Sequence, residues 1–110
     1  MSKIVITASG ADWSTAALLE FKRLTGVAPT TVKAVPPGQP LLEPELFLNT
    51  HPEVARALRG VIALDRAHGL ALGYYELEPG EDFATAPLEQ CRIDADVLTN
   101  ILAEADGQFT

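Results

Sequence analysis

The side chains best able to do chemistry in this sequence are two histidines, one cysteine and a run of carboxylates next to paired tyrosines. His51, His68 and Cys91 are the soft metal ligands, and no two of them fall within four residues of each other. Zinc-type spacing is therefore missing, and neither a metal nor any other cofactor is expected. Cys91 lies in E-Q-C-R-I, without the surroundings of a nucleophile, although distance in sequence does not forbid His68 from reaching it. A free cysteine of this kind is ordinarily a small buried hydrophobe. The S-G-A-D-W-S passage from Ser9 to Ser14 offers backbone N–H groups to an anion, but it lacks the glycine density and lysine of a phosphate loop. Asp12 would repel such a ligand. The passage reads as a tight strand-to-helix connection capped by Asp12.

Glu76 and Glu78 alternate with Leu77 and so share one strand face, with Glu81 and Asp82 close behind. Two carboxylates on a strand do acid–base work only where a cleft raises one pKa; more often the face is solvated. Tyr74, Tyr75 and Trp13 are the notable aromatics, and aromatics near carboxylates frequently anchor protein interfaces. Neighbouring strand residues face opposite sides, so one of the two tyrosines points away from the core. Trp13, Tyr74, Tyr75, Glu76, Glu78, Glu81 and Asp82 are accordingly read as protein-binding residues, and none as catalytic. The alternative is a small enzyme or ligand-binding domain that gathers Glu76, Glu78, Tyr74 or Tyr75 in a groove.

Charge is distributed unevenly along the 110 residues. Residues 1–70 carry seven basic and six acidic side chains, whereas residues 71–110 carry Arg92 alone against nine acids, within a total of −7. Such a surface repels a phosphate backbone, which argues against nucleic acid and for a basic protein partner. The length suits one domain with one core, and a hydrophobic content of 47% is ordinary for a globular fold. The single cysteine fits a reducing compartment. The apolar run in M-S-K-I-V-I-T is too short for a signal-peptide core, and no stretch approaches membrane-spanning length. Together these give an expectation of a cytoplasmic protein with no membrane association.

The elements that must position these residues are legible from their periodicity. Thr50 to Leu77 organises the rest. Thr50 reads as an N-cap, Pro52 sits in the first turn, and Glu53 completes a capping box. Val54, Leu58, Val61, Ile62 and Leu64 fall on one side, with Arg56, Arg59, Asp65 and Arg66 on the other. Arg66 and His68 suit the last turn, Gly69 supplies a left-handed stop, and Leu70 to Leu77 reads as a strand. Before this, Lys3 to Ala8 is a β-branched central strand. Thr15 to Leu24 is a helix with Ala17, Leu18, Phe21 and Leu24 on one face, ended by Gly26. Val27 to Val35 is ambiguous: its valines and threonines favour a strand, yet Pro29 suits a helix start. Pro36 to Pro40 is loop, and Pro44 demotes Leu41 to Leu48 to an edge strand or irregular segment. Glu78 to Leu88 reads as loop. A last helix, capped by Asp94 or Asp96, presents Val97, Leu98, Ile101, Leu102 and Ala105 for burial on the domain or on a second copy.

Ala8, Gly10 and Ala11 after the first strand, then Thr25, Gly26, Val27 and Lys33, follow the short motifs of a known pattern. With the order of elements around them, residues 1–78 resemble the C-terminal domain of the bacterial ribosomal stalk protein, whose fold is shared by the adaptor that delivers N-degron substrates to the Clp protease. The resemblance implies an α+β fold of order β-α-α-β-α-β, with a three-stranded antiparallel sheet covered by helices on one face. It implies a helix at residues 29–35, and residues 79–110 would then add a loop and an extra C-terminal helix to a single domain. Of the stalk family's basic binding face only Lys22, Arg23 and Lys33 remain, and Lys22 and Lys33 join the expected protein-binding residues. The adaptor's N-D-D recognition turn is replaced by Gly10, Ala11 and Asp12, so its N-degron pocket does not carry over. The expectation for function is a small acidic, non-enzymatic module: a stoichiometric inhibitor of the immunity or antitoxin kind, or an adaptor, for a basic protein. A homodimer through the C-terminal helix is a further expectation.

Overall fold

Strand β1 (Lys3–Thr7) forms because Ile4, Val5, Ile6 and Thr7 are β-branched, and all four are buried. It is followed by α1 (Thr15–Thr25), α2 (Pro29–Ala34), β2 (Pro40–Leu42), α3 (His51–His68), β3 (Gly73–Leu77), α4 (Leu88–Cys91), β4 (Arg92–Ile93) and α5 (Ala95–Gly107). This computed structural model describes residues 3–10, 12–44, 51–78, 81–85 and 88–107. The expected capping box of Thr50 and Glu53 rests on a residue outside them.

The fold is mixed α+β, with the strands in the order β2-β1-β3-β4 and every pairing antiparallel. Three strands were expected; the fourth is β4, which sets Ile93 opposite Tyr74 and Arg92 opposite Tyr75. Two residues are too few to show a period, so no alternation in the sequence announces this strand. The β1–β3 register sets Lys3 opposite Leu77 and Thr7 opposite Gly73. Ile4, Ile6 and Tyr74 therefore share the face that packs on α1, α3 and α5, in one core with Phe21, Leu58, Val61, Leu98 and Leu102. Val5 and Leu77, on the other face, are also fully buried. Burial on both faces is why β1 reads as an unbroken apolar run.

Several local expectations are corrected. Asp12 does not cap α1. The helix begins at Thr15, and Ser14 occupies the cap with extended backbone, its Oγ accepting the Ala17 N–H at 3.1 Å. The helix implied at residues 29–35 is present at 29–34, despite its β-branched content: Pro29 supplies the first turn, and Val32 is buried beside α1. Strand β3 starts at Gly73, not Leu70. Periodicity sets Asp65 on the side of α3 away from its apolar stripe, yet its carboxylate turns inward, accepting the Tyr74 O–H at 2.8 Å and the Leu72 N–H at 3.4 Å. This clamp holds residues 70–72 in an irregular turn in which Ala71 has a left-handed φ of 53°. Of the segment from Leu41 to Leu48 only Leu41 and Leu42 lie in the edge strand, which Pro40, expected in the loop, opens; residues 45–48 lie outside the described ones. The stops at Gly26 and Gly69 stand as expected, with φ of 79° and 61°. Asp94, not Asp96, caps the last helix, accepting the Val97 N–H at 2.8 Å.

The last helix meets its need for burial within the molecule. Leu98 and Leu102 have no solvent exposure and join the core through α3, whereas Val97 remains 41% exposed. Arg66 of α3 bonds Asp96 of α5 at 2.7 Å, but both side chains are exposed, so the apolar contact holds α5 in place.

Candidate functional site

The antiparallel register of β1 and β3 separates the expected binding residues into two groups. Residues after Thr7 emerge beside Gly73, and residues after Leu77 emerge beside Lys3, so the first connection and the acidic segment lie at opposite ends of the sheet. Trp13 and Lys33 belong to the first end. They line a groove of about 440 Å³ with Ala8, Gly10, Asp12, Leu18, Val32, Val35 and Pro37. Trp13 is half-buried there and meets Phe21 edge to face, with centroids 5.2 Å apart and planes at 80°. Lys33 is exposed in the last turn of α2. Lys22 is exposed in the last turn of α1 and does not line this groove.

Glu76, Glu78 and Glu81 meet at the other end. They line a shallow groove of about 320 Å³ together with Gln90, Cys91 and Ile93. Glu76 lies in β3 and Glu78 just beyond its end, and two reciprocal hydrogen bonds tie Glu81 to Glu78. The Glu81 N–H bonds the Glu78 carbonyl at 3.0 Å, while the Glu81 carboxylate accepts the Glu78 N–H at 2.7 Å. Asp82 is exposed next in the chain but does not line the groove. Gln90, Cys91 and Ile93 were not expected here; they arrive through α4 and β4, whose pairing with β3 is long-range and leaves no local signal. The groove's negative field is felt at Cys91. Desolvation, and then the charges of Glu81, Glu78 and Glu76, push its thiol pKa above the usual range. A thiol so placed stays protonated and is a poor nucleophile.

The two tyrosines part company, as their adjacency requires. Tyr74 is buried and donates to Asp65, and burial followed by that hydrogen bond raises its pKa well above the ordinary phenol value. Tyr75 sits on the opposite face, half-buried, with Phe83 edge-on at 5.5 Å and the Arg92 guanidinium 5.8 Å from its ring centroid. Neither tyrosine lines the acidic groove. Among the described residues, no three His, Cys, Asp or Glu side chains are grouped so as to hold a metal ion, and no helix is long and apolar enough to cross a membrane.

No protein-family model, curated protein or solved structure matches the chain.

Proposed function

We propose that this protein is a non-enzymatic binding module whose acidic groove at the β3–β4 edge engages a basic protein partner, as a stoichiometric inhibitor of the immunity or antitoxin kind or as an adaptor. The observation that carries this reading is the convergence of Glu76, Glu78 and Glu81 on one open groove, in a part of the chain where acids outnumber bases nine to one. Ile93 and Cys91 in its lining offer some contact to the aliphatic stem of a lysine or arginine, while the carboxylates meet its head. The resemblance of residues 1–78 to the stalk domain and the adaptor, a fold habitually used to bind other proteins, points the same way. The lone cysteine fits action in the cytoplasm.

Charge complementarity of this kind accelerates encounter, and the effect is screened by salt. The test is affinity capture from the native host, followed by association kinetics with the captured stoichiometric partner at low and high ionic strength. The association rate is expected to fall by about tenfold or more as salt rises. The double change Glu76→Lys with Glu78→Lys, which keeps the Glu81 carboxylate on the Glu78 N–H, is expected to remove most of that salt dependence. A partner whose association ignores both salt and the double reversal would overturn the reading, as would the lack of any stoichiometric partner.

A further inference from the structure

We draw no further inference here: the strongest candidate, the groove of Trp13, Leu18, Val32, Lys33 and Pro37 between the turn after β1 and helix α2, is bordered by charges of both signs, and nothing in the structure shows what covers it.

Discussion

Asp65 and Tyr74 show how one hydrogen-bonded pair fixes a chain reversal. The Asp65 backbone carbonyl accepts the Gly69 and Leu70 N–H groups, while its carboxylate takes the Leu72 N–H and the Tyr74 hydroxyl. One residue thus ends α3 and starts β3. Because the folded-state pKa of Tyr74 is raised, the folded protein keeps a phenolic proton that the unfolded chain releases near pH 10. The stabilisation is present in full below that pH and is lost as pH climbs above it. Tyr74→Phe is expected to cost about 1 kcal/mol at neutral pH and to flatten the loss of stability above about pH 10, as read by urea unfolding across a pH series. An unchanged alkaline slope would show that the phenol is not the group responsible. Ala71, exposed and at a φ of 53°, carries the opposite prediction. A β-carbon is strained in that conformation, so Ala71→Gly is expected to raise stability by about 1 kcal/mol in the same assay.

Helix boundaries depend on single caps. Asp12 and Ser14 both bear side chains fit to cap α1, but only Ser14 immediately precedes its first turn, and its Oγ reaches the Ala17 N–H. Ser14→Ala is therefore expected to cost about 1 kcal/mol, whereas Asp12→Ala leaves thermal stability within a few tenths of that of the parent protein. Equal losses from the two changes would contradict the cap assignment. At this scale the strongly periodic elements were legible: α1, α3 and α5 all display an apolar stripe, and each buries it. Helix α2 was ambiguous from its own residues, and strand β4 was not legible. At six and two residues they are too short for a period to emerge, and α2 is held by its packing of Val32 against a propensity that favours a strand.

For the molecule as a whole, the decisive contact is the docking of α5 onto α3, since an apolar helix face is satisfied equally by its own domain or by a second copy. Complete burial of Leu98 and Leu102 within the core shows that its own domain supplies it. Leu98→Ala is expected to lower unfolding free energy by roughly 2–5 kcal/mol. The unfolding midpoint of the parent protein is expected to stay constant across a hundredfold range of concentration, because an intramolecular contact carries no mass-action dependence. A midpoint that rises with concentration would return the helix to a role between copies. The amino-acid order alone determined the long helices, the left-handed stops at Gly26 and Gly69, the division of Tyr74 from Tyr75 and the acidity of the last third, because each depends on residues near in sequence or on composition. Tertiary structure alone decided that Trp13 and Lys33 stand at one end of the sheet and Glu76, Glu78 and Glu81 at the other, that Asp65 turns inward, and that Cys91 and Ile93 complete the acidic groove. Those outcomes follow from strand register and long-range packing, in which residues distant along the chain choose one another by the surface they bury together.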